Sequence, residues 1–225
     1  MSNTDISPAA PNSPGTQIAV TGPSGTVTPS SRPFILYTGT DLTGTATGDP
    51  EVRSYCALPD TEASRYRLNR DDHNQIFRFT FTANGTTGPA YCLDKFKDGP
   101  YGDVPYQSQT FETLFPDATE RQKQMLAWIL ANAYPTVSAS QTFNLVGVDD
   151  TAAPPLDNND AYAAVQVAIW VLLGQISPSE AVFLNCSDGA AHPKSDRLNQ
   201  TVLRLIEMAG NFADTAAQPA YSYPP

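Results

Sequence analysis

The most regular alternation of apolar and polar positions lies at residues 76–82, where three phenylalanines alternate with polar side chains. Strict alternation gives one buried and one solvated face, so this stretch is predicted to form a β-strand. The Asn84-Gly85 step that follows favours a tight hairpin, because both residue types accept positive backbone φ angles. The returning strand is expected to carry residues 90–93.

Apolar positions that recur every three or four residues predict three helices further along the chain. The first follows a capping-box pattern at residues 117–120 and ends before residues 134–135. The second follows the short polar side chains of residues 156–160, is apolar nearly all round, and stops at Gly174. The third is predicted from about 195 to 211.

One polar side chain, Gln166, interrupts the apolar sequence VQVAIWVLL (residues 165–173) of the second helix. A buried amide without a partner costs roughly 1–3 kcal/mol, so Gln166 is expected either to be hydrogen-bonded or to react. Because the strands precede the helices, the predicted fold class is α+β. A β-sheet or sandwich part carrying Cys92 is expected to pack against a helical part carrying Gln166.

Composition divides the chain into three predicted segments. Residues 1–32 are rich in Pro, Ser, Thr and Gly and are predicted to be an arm or linker. The folded domain is predicted over 33–213, beginning with a short strand at 34–37. Residues 214–225 are predicted to be a C-terminal tail or linker.

Length and charge restrict the classes of function. With 225 residues, of which 40% are hydrophobic, the chain can bury one sizeable core. A formal charge of -10 and a pI near 4.4 argue against nucleic acid and anionic membrane surfaces as partners. No run of eighteen apolar residues and no signal peptide is present, so membrane insertion is not expected. The beginning of the chain suggests an excised fragment whose leader and anchor lie outside it.

The chain has three cysteines, which in an extracellular protein suggests one disulfide and one thiol with another use. Cys56 and Cys186 both lie next to turn-forming residues, and we predict that they pair and leave Cys92 over. The alternative is that all three are buried thiols, since free cysteine is among the most buried residue types.

Cys92 and Gln166 together allow a chemistry that neither allows alone. A cysteine thiolate can displace ammonia from a glutamine amide and leave an internal thioester, a step that near-attack geometry accelerates. Alone, each residue is ordinary core material. A thioester survives only where water is excluded. The side chains expected to form an apolar wall around it are Tyr91, Leu93, Ile169 and Trp170.

Two motifs place the chain beside a known family. They are the aromatic-Cys-aliphatic step at residues 91–93 and the hydrophobic-Gln-x-Ala-Ile-Trp pattern at 165–170, and a third similarity is ILANAYP at 129–135. In these motifs and their order the chain resembles the thioester domains of Gram-positive surface adhesins, over roughly residues 33–213. It departs from them at Val165, where many members have threonine, and at Ala133, where many have glycine. Neither departure removes a bond-forming group.

The resemblance implies a cell-wall-anchored, extracellular adhesin domain of a Gram-positive bacterium. Its Cys92–Gln166 thioester would be attacked by a primary amine, such as a lysine on a host or surface protein, leaving an amide at Gln166 and a free Cys92 thiol. One event consumes the site, so no enzymatic turnover and no cofactor are expected, and the isolated domain is expected to be a monomer. Candidates for polarising the amide carbonyl are Asp94, Tyr91 and the backbone near Gln166.

Two other classes of function stay open on the sequence. The first is a cysteine hydrolase or acyltransferase in which His73 or His192 acts as the base for Cys92. The second is a noncovalent binding module or stalk domain, in which Lys95 or Lys97 could take part in a Lys–Asn cross-link. A metal site is disfavoured, since no His/Cys cluster has ligand spacing.

Overall fold

The protein combines antiparallel sheets with a group of helices, which confirms the α+β fold class. The computed structural model describes residues 18–20, 43–48, 66–69, 76, 78–83, 85–97, 103–107, 111–185 and 188–216. The strands are β1 (Ile18–Val20), β2 (Thr43–Gly48), β3 (Tyr66–Leu68), β4 (Phe79–Ala83), β5 (Thr86–Cys92), β6 (Asp103–Gln107) and β7 (Phe183–Asn185). The helices are α1 (Phe111–Leu114), α2 (Glu120–Asn132), α3 (Ala139–Leu145), α4 (Asn158–Leu172) and α5 (Ser195–Ala216), with a 3₁₀ turn at Pro178–Glu180.

Five antiparallel strands form the larger sheet in the order β1-β5-β4-β2-β6, and β3 and β7 form a second, two-stranded sheet. β5 is therefore an interior strand, with β1 on one side and β4 on the other. The first pair between β4 and β5 joins Phe79 to Ala90, so Cys92 lies two residues beyond the end of that ladder. This offset leaves room beside Cys92 for a group that is not a strand.

The hairpin between β4 and β5 is confirmed, but the predicted start of its first strand is wrong. Ala83 pairs with Thr86 across the turn, and Gly85 has a φ of 75°, as a two-residue hairpin turn requires. Strand pairing begins at Phe79 and not at Ile76. Ile76 is fully buried without belonging to a strand, so its apolar character reflects core packing.

All three predicted helices are present as α2, α4 and α5. The first begins later than its capping pattern suggested, because the N-cap is Thr119, whose hydroxyl accepts from the Gln122 N–H at 3.1 Å. Asp117 lies two residues before this cap. The third helix begins at Ser195 as predicted and continues to Ala216, beyond its predicted end.

Helix α4 is the buried centre of the helical part. It packs against α2, α3 and α5, and its residues 161–169 are fully buried. Within the described residues, no helix is long and apolar enough to cross a membrane. β1 falls inside the segment predicted as an arm, while the strand predicted at 34–37 lies outside the described residues. The predicted segment boundaries stay predictions.

Candidate functional site

The start of α4 fixes where Gln166 points. Asp157 caps the helix, and its carboxylate accepts from the N–H groups of Asn159 and Asp160 at 2.8 and 3.1 Å. In return, the Asp160 carboxylate accepts from the Asp157 N–H at 2.8 Å. Such a reciprocal capping box satisfies donors that a helix start otherwise leaves unpaired. The helix also contacts β5 through Tyr162, whose hydroxyl donates to the Ala90 carbonyl oxygen at 2.6 Å. Gln166, one turn later, reaches the next part of the same strand.

Gln166 pairs with the backbone of Cys92 through both ends of its amide. The Cys92 N–H donates to Oε1 at 2.7 Å, and Nε2 donates to the Cys92 carbonyl oxygen at 2.7 Å. The amide thus makes the two hydrogen bonds that a neighbouring strand would make, at a position that β4 does not reach. The reacting carbon, Cδ, is one bond from each paired amide atom, and the Cys92 sulfur is two bonds from the Cα between the paired backbone groups. The two chemical partners named from the sequence are therefore adjacent.

The thiol of Cys92 is buried and held in a defined direction. Its Sγ donates to the Asp94 carbonyl oxygen at 3.0 Å. The pKa of the thiol is raised to about 12, mainly by burial and in part by the Asp94 carboxylate, against the lowering effects of the hydrogen bond to the Asp94 backbone, the Lys95 ammonium and the Trp170 indole. The resting group is a neutral thiol.

The four residues expected to wall the site are all buried in the core cluster around it. Tyr91 stacks on Tyr162 of α4 with ring centroids 4.8 Å apart, and its hydroxyl donates to the Tyr134 carbonyl oxygen. Trp170 lies one helical turn after Gln166 and is 3% exposed. Leu93 and Ile169 complete the set, at 5% and 0% exposure. Their burial suits exclusion of water, and their function as a wall stays a prediction.

The group that contacts Oε1 of Gln166 is the backbone N–H of Cys92. Neither of the two side chains named as candidates for polarising this carbonyl, Tyr91 and Asp94, is recorded in contact with it. The Tyr91 hydroxyl is bonded to the Tyr134 carbonyl oxygen, and one Asp94 carboxylate oxygen accepts from the Phe96 N–H at 3.0 Å.

A second glutamine, Gln175, holds the residues that follow Cys92. Its Nε2 donates to the Leu93 carbonyl oxygen at 2.6 Å, and its Oε1 accepts from the Lys95 N–H at 2.7 Å. Gln166 and Gln175 together attach three residues of the 92–95 segment, Cys92, Leu93 and Lys95, to α4 and the turn at its C-terminal end. No signal in the sequence identifies Gln175, since a polar residue directly after the helix-ending Gly174 is typical of a solvated loop.

Gln175→Ala is expected to destabilise the fold by about 2 kcal/mol, because it leaves a carbonyl and an N–H of the 92–95 segment without these partners. It is also expected to slow any reaction between Cys92 and Gln166, whose own pair of hydrogen bonds it leaves intact. Urea denaturation measures the first effect. Gln124→Ala is the matched control, since that amide bonds Glu120 at 3.3 Å on the exposed face of α2. Equal stability of the two variants would contradict the assigned role.

The histidines of the hydrolase alternative and the lysines of the stalk-domain alternative lie in different surroundings. His192 is in the turn before α5, where its Nδ1 accepts from the Lys194 N–H at 3.1 Å, while His73 lies outside the described residues. Lys97 is exposed, and Lys95 is buried, with its ammonium 4.3 Å from the centroid of the Trp170 ring. In the described part of the chain, no group of three or more acidic, histidine or cysteine side chains could hold a metal ion.

The predicted Cys56–Cys186 disulfide involves two residues outside the described ranges and stays a prediction. Cys92 is a free, buried cysteine.

Comparison with known proteins gives one finding. Residues 89–211 match the family described as thioester domain. The matched region begins just before Cys92 and ends within α5, so it contains Cys92, Gln166 and Gln175. No curated protein and no solved structure gives a match.

Proposed function

Since this chain belongs to the thioester domain family, we propose that Cys92 and Gln166 form an internal thioester that captures a primary amine on a target. The observation that carries this proposal is the pairing of the Gln166 amide with both backbone polar groups of Cys92, at 2.7 Å each. A core glutamine needs only some partner to satisfy its amide. Here the partner is the backbone of the one free cysteine among the described residues.

The geometry supports each step of bond formation. The Cys92 sulfur adds to Cδ of Gln166, and negative charge develops on Oε1, to which the Cys92 N–H already donates. A hydrogen-bond donor aimed at a developing oxyanion is worth about 10²–10³ in rate in enzymes. The C–N bond then breaks, and the nitrogen leaves as ammonia with the proton that the thiol has lost. The product is a thioester between the Cys92 sulfur and the Gln166 carbonyl carbon.

Capture of a target is the reverse of thioester formation, with an amine of the target in the place of ammonia. An amine nitrogen adds to the thioester carbon, the C–S bond breaks, and a proton from the amine ends on the Cys92 sulfur. The target is then joined to Gln166 by an amide. A lysine side chain is the commonest source of such an amine on a protein surface. Each site reacts once, so the product is an attachment and no catalyst is regenerated.

The setting we propose for this reaction is a bacterial surface. The family is typical of extracellular surface proteins. The net charge of -10 suits a domain that stays soluble outside the cell, and it disfavours adhesion through anionic lipid or nucleic acid. We infer a cell-wall-anchored adhesin domain of a Gram-positive bacterium, with a host or surface protein as its target.

Intact mass of the purified protein tests the proposal directly. The wild-type chain is expected to be lighter than its sequence by one ammonia. Incubation with methylamine is expected to restore the lost mass and add the methyl group, at Gln166, while releasing a Cys92 thiol that iodoacetamide alkylates.

Cys92→Ala and Gln166→Ala are expected to show the full sequence mass and no methylamine adduct. Fresh wild-type protein with the full sequence mass at mild pH would refute the thioester and leave a noncovalent binding module as the better interpretation. Continued release of product from a model ester, many molecules for each protein, would instead support a hydrolase.

A further inference from the structure

Two groups beside Cys92 are suited to a negative charge that the resting protein does not carry. Trp170 is 3% exposed, and its indole Nε1 has no hydrogen-bond acceptor within the described ranges. Buried donors in native proteins nearly always have an acceptor, so this one requires an explanation. Trp170 follows Gln166 by one helical turn, so the two residues lie on the same side of α4.

The candidate acceptor for this donor is the Cys92 sulfur. The indole N–H lowers the pKa of the Cys92 thiol through its side-chain hydrogen-bonding capacity, although in the resting state it does not meet the geometry of a full hydrogen bond. A neutral thiol is a weak acceptor, whereas a thiolate is a strong one. The donor therefore gains its partner when the sulfur becomes negative.

Lys95 adds a positive charge to the same place. Its side chain is 4% exposed, and its ammonium lies 4.3 Å from the centroid of the Trp170 ring. A cation over the face of the ring polarises the indole so that its N–H becomes a better donor. The Lys95 charge also lowers the pKa of the Cys92 thiol. Burial and the Asp94 carboxylate raise this pKa. The backbone carbonyl of the same residue, Asp94, accepts from the thiol.

We propose that Trp170 and Lys95 form a thiolate site, in which the indole N–H and the ammonium stabilise the Cys92 sulfur while it carries negative charge. The inference rests on the proposed thioester and assigns the groups that assist its sulfur. During formation the charge is present before the sulfur adds to Gln166. During capture it appears when the C–S bond breaks with its electron pair on sulfur, and it is lost when the proton from the amine arrives. The Trp170 N–H acts on the reacting sulfur itself. Lys95 positions the Trp170 ring, and its positive charge adds an electrostatic field that favours the thiolate.

Rates of thioester formation and of methylamine capture test the site, both followed by intact mass at one fixed pH. Trp170→Phe, which keeps an aromatic ring, and Lys95→Met, which keeps the chain length, are each expected to slow both reactions by about tenfold or more. Lys95→Arg keeps a positive charge that can lie over the Trp170 ring, and it is expected to stay within about threefold of wild type. Trp128→Phe and Lys97→Met remove the same groups elsewhere and are the matched controls.

Alkylation of Cys92 by iodoacetamide, measured in the Gln166→Ala background, separates a chemical role from damage to the core. Loss of a thiolate-stabilising group leaves less thiolate and slows alkylation, by about tenfold for Lys95→Met. A disrupted core admits water and reagent, which would speed alkylation. Slower alkylation in the Trp170→Phe and Lys95→Met variants, with neither control changed, supports the thiolate site.

Unchanged or faster alkylation in these two variants would overturn the inference, as would a Lys95→Met variant that captures methylamine at the wild-type rate. A wild-type chain that is lighter by ammonia but already has an alkylatable Cys92 would also overturn it, since a group other than the Cys92 sulfur would then have displaced the ammonia. The alkylation experiment needs no thioester, so it gives a result even if the wild-type mass refutes the proposed function.

Discussion

Gln166→Glu is expected to abolish thioester formation and to destabilise the fold more strongly as the pH rises. The variant lacks the Nε2 group that donates to the Cys92 carbonyl oxygen at 2.7 Å and places a second oxygen there. A carboxyl at this fully buried position has a raised pKa, because burial disfavours its charged form. While protonated it can still donate to the carbonyl. The loss of stability is therefore small below the ordinary value of about 4.3 and grows above it until the raised folded-state pKa is passed.

Chemical denaturation of the Cys92→Ala background, which carries no cross-link, measures this effect. Adding Gln166→Glu is expected to cost several kcal/mol more at about pH 8 than at about pH 4. Gln166→Met is the matched control, since it removes the amide without adding a titrating group, and its cost should not vary with pH. The same cost at both pH values for the glutamate variant would show that the amide is not held between the Cys92 backbone groups.

Lys194→Met is expected to destabilise the protein by about 3–5 kcal/mol, because it leaves a buried carboxylate without its cation. Lys194 Nζ lies 2.8 Å from an Asp160 carboxylate oxygen, and the two side chains are 6% and 0% exposed. The same oxygen accepts from the Asp157 N–H and so helps to begin α4. The ion pair therefore joins the start of α5 to the helix that carries Gln166.

The double variant Lys194→Met/Asp160→Asn distinguishes an uncompensated charge from lost packing. An amide oxygen at position 160 can still accept from the Asp157 N–H, so most of the lost stability should return. Urea denaturation of both variants provides the comparison. Asp214→Asn breaks an exposed ion pair with Arg121 and should have little measurable effect. A double variant as unstable as Lys194→Met alone would contradict the charge argument.

The elements of the fold were predictable where one physical signal dominated. Asn84-Gly85 specifies a hairpin almost by itself, and α4 is apolar on every side and so had to be central. Where two signals competed, the prediction was shifted. Asp117 and Thr119 can each cap a helix, and the reciprocal bond with Gln122 decides for Thr119. The alternation of apolar and polar residues begins at Ile76, but this residue is buried in the core without belonging to a strand.

At the site, the sequence identified the chemical partners but not the groups that hold them. The motifs brought Cys92 and Gln166 into one hypothesis, and the structure places them in contact. The pairing of the Gln166 amide with the Cys92 backbone depends on where β4 begins, and the alternation of apolar and polar residues placed that start too early. Gln175 and the Lys95–Trp170 contact depend on how a loop folds back over a helix end. No periodic pattern carries that information.

The pairing of Gln166 with Cys92 also bears on whether an attachment can be undone. Oε1 and Nε2 of Gln166 both face the backbone of Cys92. Of the two hydrogens on Nε2, the one that is donated is therefore the one cis to Oε1 across the C–N bond. In a trans secondary amide, that position holds carbon. A captured target would thus stand against the Cys92 carbonyl unless the new bond turned cis, at a cost of about 2.5–4 kcal/mol. The linked amide must leave the strand, and the sulfur then loses the geometry needed for the reverse attack.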